Sequence, residues 1–338
     1  MRTFIKKLLL LVSFLICLNL SAELLAQKMQ IRGFVAVNTI LEDGKFNFGI
    51  GEQDLFFTSE LNDNISFLGE TVFKYSPSSS TNFNVSIERV VINYNYKGNH
   101  SLLFGKHHTP INYWNDSYHH GRVFFPTITR PLLFAAHTIP IHTTGMGFQG
   151  LNLGKLRFGY NLMVGNGIGS GDVIDNDKYK SVTAAIHIKP RDKLQIGVSF
   201  YNDVISEGAE SHGKVFDEKL NQQLYTGTLA YFGSKFEVLA EGTIASNFAK
   251  STGSVNSFTA YLYAGVRLNE KWIPYIRFDY LNYQEEEIYF EKDDTISFLA
   301  GLRYEINYLI VVKMEYQYID REEMGVTDLL NTQIAIGF

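Results

Sequence analysis

The sequence predicts an all-β fold, a transmembrane antiparallel up-and-down β-barrel of sixteen strands. Three observations support this prediction: an export signal at the amino terminus, an alternation of apolar and polar residues with period two, and an alternation of short and long connections. The composition agrees, because 26 Phe, 20 Tyr and 28 Gly against only 7 Pro are typical of a β-rich chain.

The first residues have the pattern of an export signal. Basic residues precede an apolar run over 8–20, and the small residue Ala26 follows. The run is short for a membrane-spanning helix, which needs about 20 residues. We therefore expect a signal peptide over residues 1–26 and a single barrel domain over 27–338. The only cysteine, Cys17, lies in the signal, so the mature chain would contain none.

Apolar and polar residues alternate along most of the remaining chain. Phe298 and Leu302 fall on one face of their segment, for example, and Arg303 falls on the other. Successive side chains of a strand point to opposite faces, so this pattern predicts strands with one apolar face. Sixteen such segments lie near 29–41, 46–60, 64–75, 82–96, 100–107, 143–153, 155–164, 179–189, 193–203, 219–232, 235–247, 256–268, 271–284, 294–306, 308–319 and 327–338.

The connections between these segments alternate in length from the second onward. Short ones include Asn62-Asp63 and Gly233-Ser234, and long ones lie near 108–142, 204–218 and 320–326. Short turns at one rim and long loops at the other are typical of outer-membrane barrels. A soluble β-sandwich also alternates but does not require this order of connections.

A closed sheet is the physical consequence of a lipid environment. Lipid offers no hydrogen-bond partners, so the sheet must close on itself to pair every backbone group. Sixteen strands leave a water-filled lumen, whereas eight are filled by their own side chains. We therefore expect the charged side chains on the inward faces to remain in water, without burial.

The last strand predicts how the chain reaches its membrane. Ile334, Ile336 and Phe338 share one face, and a terminal strand that ends in Phe resembles the recognition signal of outer-membrane barrels. We therefore expect outer-membrane lipids and, through Phe338, the barrel-assembly machinery as partners. The location implied is the outer membrane of a Gram-negative bacterium.

The segment over 87–114 resembles the early barrel of the phosphate-selective porin family and its relatives. Gly105, Lys106 and Pro110 match the family's pattern at the end of its strand. In porins the third outer loop folds into the barrel and narrows the pore, so the resemblance implies the same for the long connection near 108–142. The sequence departs from the family because histidines replace the expected lysine-rich constriction.

That long connection is the candidate pore constriction. It is unusually rich in basic and titratable side chains, and basic loops favour anions in pores. The residues expected to line the constriction are Lys106, His107, His108, His119, His120, Arg122 and Arg130. Two alternatives stay open: the histidines brace the folded loop by hydrogen bonds, or they bind a transition metal. His-His pairs without a carboxylate or cysteine are weak evidence for a metal.

A second group of charges has inward parity and is expected on the lumen wall. Its members carry both signs, and they are Arg157, Arg267, Arg277, Asp279, Arg303 and Glu315. Arg277 with Asp279, and Arg303 with Glu315, would form a transverse field across the pore. Cross-strand pairing that holds the wall together is the alternative.

Together these features predict a porin, a water-filled pore for passive diffusion of small hydrophilic solutes, with a weak anion preference. A homotrimer is compatible with this class, and no cofactor is expected. The net charge of −5 argues against a nucleic-acid partner. No nucleophile motif such as Gly-x-Ser-x-Gly occurs, so we expect no enzyme. The competing classes are a surface adhesion or assembly barrel and an outer-membrane lipid hydrolase.

Overall fold

The computed structural model describes residues 28–42, 44–76, 80–118, 121–168, 174–175, 177–211 and 213–338. The predicted signal peptide lies outside these residues. The described chain forms one closed antiparallel barrel of sixteen strands, in which each strand pairs with its neighbours in sequence. The strands are β1 Lys28–Glu42, β2 Lys45–Glu60, β3 Ile65–Tyr75, β4 Phe83–Lys97, β5 His100–His108, β6 His142–Leu153, β7 Phe158–Gly165, β8 Ser181–Arg191, β9 Leu194–Ile205, β10 Leu220–Phe232, β11 Phe236–Ala249, β12 Gly253–Val266, β13 Trp272–Asn282, β14 Thr295–Asn307, β15 Ile310–Arg321 and β16 Gly325–Gly337.

The predicted fold class is confirmed, and every predicted strand end lies within three residues of the observed one. The barrel closes where β1 pairs antiparallel with β16, with Phe34 opposite Gly337. Gly33 and Phe338 extend this seam by two backbone hydrogen bonds, of 2.8 and 2.9 Å. The sheet therefore has no free edge that would leave unpaired backbone groups in lipid.

Alternation along each strand separates an apolar outer face from a different inner face. Leu262 and Ile276 are 48% and 61% exposed on the outside, whereas their neighbours Tyr263 and Arg277 are 0% and 1% exposed. This contrast follows from the strand geometry, which sends successive side chains to opposite sides. The outer face is therefore suited to lipid, and the inner face is covered by other parts of the protein.

The alternation of connection lengths holds for most of the barrel. The connections after β2, β4, β6, β8, β10, β12 and β14 are short, and they lie together at one rim. At the opposite, long-loop rim, two connections are shorter than predicted: 250–252 and 322–324 are three-residue turns. The prediction was wrong there because the strand pairing continues to the turn, as Ala249 opposite Gly253 shows.

The longest connection, residues 109–141, joins β5 to β6 and is called here the third outer loop. It contains two short helices, α1 Tyr113–Ser117 and α2 Leu132–Ala135. Asn112 begins α1, because its side chain accepts a 2.7 Å hydrogen bond from the Asn115 backbone N–H. In the part of the chain that the structure describes, no helix is long and apolar enough to cross a membrane.

Candidate functional site

The third outer loop is anchored to the inner wall by buried carboxylates. Glu241 on β11 accepts hydrogen bonds from the backbone N–H groups of Tyr113 and Trp114, the second at 3.1 Å. It also accepts from the Thr228 hydroxyl at 2.7 Å and from the Tyr261 hydroxyl. One wall carboxylate thus binds the first turn of α1, where the backbone N–H groups lack helical partners.

Two further carboxylates anchor the second half of the loop. Glu315 on β15 accepts from the backbone N–H groups of Ile128 and Thr129, the second at 3.2 Å. Asp279 on β13 accepts from the backbone N–H of Leu132, the first residue of α2, at 3.0 Å. The loop therefore crosses the lumen to strands far around the barrel from β5 and β6.

Wall cations bind the loop's carbonyl groups in the same region. Arg277 donates to the carbonyl oxygens of Thr129 and Arg130, at 2.6 and 3.1 Å. Lys313 donates to the carbonyl oxygens of Arg122 and Thr127, at 2.7 and 3.3 Å. Backbone donors and acceptors of an irregular segment are thus paired by charged side chains, as a buried loop requires.

Aromatic side chains fill the space between the loop and this side of the wall. Trp114 is 0% exposed and makes edge contacts with Phe125 and Tyr261, at ring-centroid distances of 5.7 and 6.0 Å. The cluster continues through other buried loop and wall residues, among them Ile111, Leu133, Phe134, Ile139, Tyr201, Leu224, Leu239, Tyr263, Tyr275 and Leu299. An apolar core inside the barrel therefore holds the loop against β9–β14.

This packing corrects the expectation that inward charges stay in water. Arg277, Lys313 and Glu315 are each no more than 1% exposed. The lumen of sixteen strands is wide enough for water, but here the third outer loop occupies much of it and covers these side chains. The desolvation cost of burying these charges is offset because each has partners on the loop or the wall.

Open space remains on both sides of the loop. A cavity of about 920 Å³ opens at the short-turn rim, lined by turn residues and by Tyr118 and Phe124 of the loop. A second cavity of about 740 Å³ opens at the long-loop rim, where Leu132 and His137 of the loop line it. The loop therefore lies between two vestibules, and any route between them must pass beside it.

A smaller cavity lies between α1 and the strands from β3 to β7. Its volume is about 180 Å³, and its polar lining consists of Arg89, His107, His108, Asp116, Gln149 and Asn161. An adjoining cavity of about 40 Å³ shares Asp116 and Asn161 and extends along β8 and β9. These two cavities form the side of the lumen that the apolar cluster does not fill, and we call them the lateral passage.

The constriction residues predicted from the sequence divide into three groups. His107 and His108 line the lateral passage. His119 and His120 lie outside the described residues. Lys106 is opposite Val90 in the sheet register, and Val90 belongs to the exposed outer face. The register therefore corrects the prediction for Lys106, because a one-residue step reverses the face of a strand side chain.

The two predicted arginines of the loop lie on it but not in the lateral passage. Arg122 donates to Glu52 at 2.9 Å, and its guanidinium carbon lies 4.8 Å from the Phe125 ring centroid. Arg130 is enclosed near Phe125 and Phe134. Burial, with the nearby charge of Arg122, lowers the pKa of Arg130 to about 10, so it stays cationic at neutral pH. Both arginines therefore stabilise the folded loop by these contacts and also carry positive charge inside the barrel.

The predicted wall residues are placed differently from one another. Arg277 and Asp279, which were expected to contribute to a transverse field, form an ion pair with each other at 2.8 Å. Arg303, which was expected to form the field together with Glu315, pairs with Glu237 at 2.8 Å, whereas Glu315 binds the loop backbone. The reason is the loop, whose backbone occupies the Glu315 carboxylate.

Two arginines lie at the short-turn rim and not along the wall. Arg157 is in the turn after β6, has a φ of 47°, and pairs with the exposed Asp192 of the next turn. The wall prediction is therefore wrong for Arg157, since a turn breaks the period of two. Arg267 follows β12 and binds Glu237 and Glu305, at 2.8 and 3.1 Å.

Sequence reasoning missed Arg89, Asp116, Gln149 and Asn161 of the lateral passage. Arg89 follows a register shift in β4, so simple alternation gives its face incorrectly. A signal for the packed loop was present, because Leu224, Leu239 and Leu299 are apolar residues with inward parity. Among the described residues, no group of three or more His, Cys, Asp or Glu side chains is arranged to hold a metal ion.

No protein-family model matches this chain, and no curated protein matches it either. Solved structures do. OmpT, an outer membrane protein of Vibrio cholerae, has a TM-score of 0.66 at 12% identity, covering 92% of this chain and 97% of its own. An anion-selective porin from Comamonas acidovorans has a TM-score of 0.66 at 9% identity, covering 92% of this chain and 99% of its own. The outer membrane channel DcaP of Acinetobacter baumannii has a TM-score of 0.63 at 12% identity, covering 92% of this chain and 97% of its own.

At these identities the likeness shows the fold alone. The chain has the closed barrel of outer-membrane proteins of Gram-negative bacteria, and neighbours described as porins or channels share it. The resemblance to porins agrees with this finding. The resemblance to the phosphate-selective family in particular stays a prediction.

Proposed function

We propose that the chain is an outer-membrane porin of a Gram-negative bacterium that lets small polar or ionic solutes diffuse passively along the lateral passage. The observation that carries the proposal is the third outer loop inside a sixteen-strand barrel, with a vestibule on each side of it. A loop held by buried ion pairs and an apolar core gives a narrow route of fixed width. Porin folds among the solved structures support the same function.

The polar lining of the lateral passage supports ions and hydrated solutes as the permeating class. Arg89 brings a positive charge to the 180 Å³ cavity, His107 and His108 bring imidazole rings, and Asp116 brings one carboxylate. Charged side chains that line a pore set its ion preference. The weak anion preference is therefore proposed for the lateral passage, with Arg89 in the role that was predicted for Lys106.

The outer face supports lipid and a second copy of the chain as partners. Large apolar side chains such as Phe48, Ile87 and Phe298 are exposed on it. One solved form of OmpT of Vibrio cholerae is described as a trimer, and a homotrimer is part of this proposal. The structure contributes no observation that favours an adhesion barrel or a lipid hydrolase.

Planar-bilayer recording tests the proposal directly. The purified protein should give discrete, ohmic conductance steps, and Asp116→Cys modified with a bulky thiol reagent should lose most of the current. The mature chain is expected to contain no other cysteine, so modification is confined to the new one. Asp63→Cys, in the exposed turn after β2, is the matched control and should conduct normally after modification.

The contrary results are equally clear. A protein that inserts and gives no conductance steps is not a porin. Hydrolysis of lipid by the purified protein would favour the hydrolase, and cell adhesion without conductance would favour the adhesin. Equal block at Asp116→Cys and Asp63→Cys would place the route elsewhere in the barrel.

A further inference from the structure

We propose that the lateral passage binds zwitterionic solutes of amino-acid size, which carry an ammonium and a carboxylate on one small skeleton. This inference rests on the proposed porin function and names the solute class that its narrow part prefers. The observation behind it is a set of polar side chains around one small cavity, several of which have atoms without a partner.

Arg89 offers free donors to the cavity. Its Nε donates to the buried Glu70 carboxylate, and its guanidinium carbon lies 5.6 Å from the Phe56 ring centroid. These contacts fix the direction of the side chain. Its two terminal nitrogens donate no hydrogen bond to any of the described residues. A planar guanidinium held in this way presents paired N–H donors that suit a carboxylate.

Asp116 offers a free carboxylate on the loop side of the same cavity. Its backbone N–H donates to Asn112 within α1, but no described residue donates to its side chain. It remains exposed to water and lines both cavities of the lateral passage. Arg89 and Asp116 face the cavity without forming an ion pair with each other. The Asp116 carboxylate and the two terminal nitrogens of Arg89, whose Nε binds Glu70, are therefore available to a solute.

Besides His108, three more polar side chains line the cavity. His107 is 9% exposed, and its Nε2 is buried without a hydrogen-bond partner. Gln149 and Asn161 also line the cavity, and no hydrogen bond of their side-chain amides to a described residue is found. Buried polar atoms are nearly always paired, so the unpaired Nε2 of His107 indicates a group that a solute or water satisfies. Gln149 and Asn161 are only partly buried, and their amides can bind the same solute or water.

The sign of the charges selects among solute classes. An anion would be attracted by Arg89 and repelled by Asp116. A cation would be attracted by Asp116 and repelled by Arg89. A zwitterion can place its carboxylate at Arg89 and its ammonium at Asp116, with the amides and His107 binding the rest. The volume of about 180 Å³ limits the solute to one of a few carbon atoms.

Three probes of one carbon skeleton test the inference: L-alanine, lactate and lactamide are a zwitterion, an anion and a neutral molecule. Each is added to single channels in about 0.1 M salt, where charges within about 10 Å still interact, and the half-blocking concentration is measured. Alanine should block at a concentration about two- to fivefold lower than either of the others, since water-exposed ion pairs contribute modestly.

Variants separate the charge from the shape of the cavity. Asp116→Asn should raise the half-blocking concentration of alanine to that of lactamide, and Asp116→Glu should preserve most of the difference. Arg89→Lys keeps a cation beside Glu70 but loses the planar pair of donors, and it should weaken alanine block. Asp63→Asn is the matched control outside the passage and should leave all three values unchanged.

The outcomes distinguish this inference from the proposed function. If the protein conducts and alanine blocks no better than lactamide, the zwitterion site is wrong and the porin stands. If lactate blocks best, the passage is an anion site and the inference fails. If no conductance occurs, the proposed function fails, and the inference fails with it.

Discussion

Single charged residues inside this barrel have two distinct tasks. Lys313 is 1% exposed, and its ammonium group donates hydrogen bonds to carbonyl groups of the third outer loop. Asp116 is exposed to water and has no such partner. Buried charges of the first kind stabilise the position of the loop, because removing one partner leaves the other uncompensated. Water-exposed charges of the second kind remain available to a passing ion.

Asp116 gives a prediction about pH. The surrounding protein displaces bulk water from around the Asp116 carboxyl and raises its pKa, although part of the residue stays exposed to water. The positive charges of Arg89 and Lys189 act in the opposite direction. A carboxyl with a raised pKa gains its proton earlier as the pH falls, so the passage loses its negative charge and anion preference should increase on acidification. Reversal potentials in a salt gradient at pH 7 and pH 5 measure this change.

Two variants separate the carboxyl from the imidazoles in that response. Asp116→Asn should favour anions more than the wild type at pH 7 and change less on acidification. Replacing His107 and His108 by Gln tests the histidine contribution that the sequence predicts. An unchanged response in Asp116→Asn would show that Asp116 does not control the preference, and an unchanged response in the histidine variant would make those residues structural.

Glu241 gives a prediction about the loop. Glu241→Gln keeps the shape but replaces one acceptor oxygen by a donor that meets the N–H groups of Tyr113 and Trp114. Charge-assisted hydrogen bonds contribute about 1.5–3 kcal/mol each, so the docking of α1 should weaken by on the order of 2 kcal/mol. Single-channel records should then show frequent steps to a higher conductance. Glu270→Gln, in an exposed turn, should show none; equal noise in both would refute the anchoring role.

Strands are the elements that local sequence describes best. Each strand is specified by period two within itself and by turn residues at its ends, and both are visible without knowing its neighbours. The path of the third outer loop is different. Its position depends on Glu241, Asp279 and Glu315, which lie more than a hundred residues away along the chain. Such contacts leave no local pattern, so the buried state of those charges was not predictable.

The terminal strand gives a prediction about assembly. The Phe338 ring lies against Gly33 of β1, where a Cβ would come within 2.4 Å of the ring, and the side chain is otherwise 65% exposed. Phe338→Asp should reduce insertion into the outer membrane and leave protein in the periplasm. The solvation cost of a charge near the rim is small, so a large effect would reflect recognition of the terminal strand.

Phe236→Asp is the matched control for that experiment. Phe236 begins β11 on the outer face, at the same rim, and is 49% exposed. It experiences a similar lipid environment but is remote from the chain end. Heat-modifiable mobility of membrane fractions measures folded, inserted barrel. Similar insertion defects in the two variants would contradict a recognition role for Phe338.

At the scale of the whole molecule, the sequence predicts the barrel but not the arrangement of side chains inside its lumen. His107 and His108 were predicted at the pore constriction, and they line the lateral passage because they end β5 where the third outer loop begins. Arg89, Asp116 and Asn161 come from a strand irregularity, a short helix and another strand. Only folding brings them to one cavity, so their shared role follows from the three-dimensional arrangement and not from spacing.

Orientation in the membrane is the prediction that tests the whole arrangement. An even number of strands places both chain ends at the short-turn rim, and in outer-membrane barrels this rim faces the periplasm. Single cysteines at Glu286 and Glu323, at the long-loop rim, should react with an impermeant maleimide on intact cells. Cysteines at Asn99 and Glu270, in short turns, should react only after the outer membrane is opened. Because the mature chain is expected to lack cysteine, the cysteine-free background is the wild type itself. Labelling of Asn99→Cys on intact cells, with Glu286→Cys protected, would reverse the orientation, and the vestibule beside Phe124 would then face the medium.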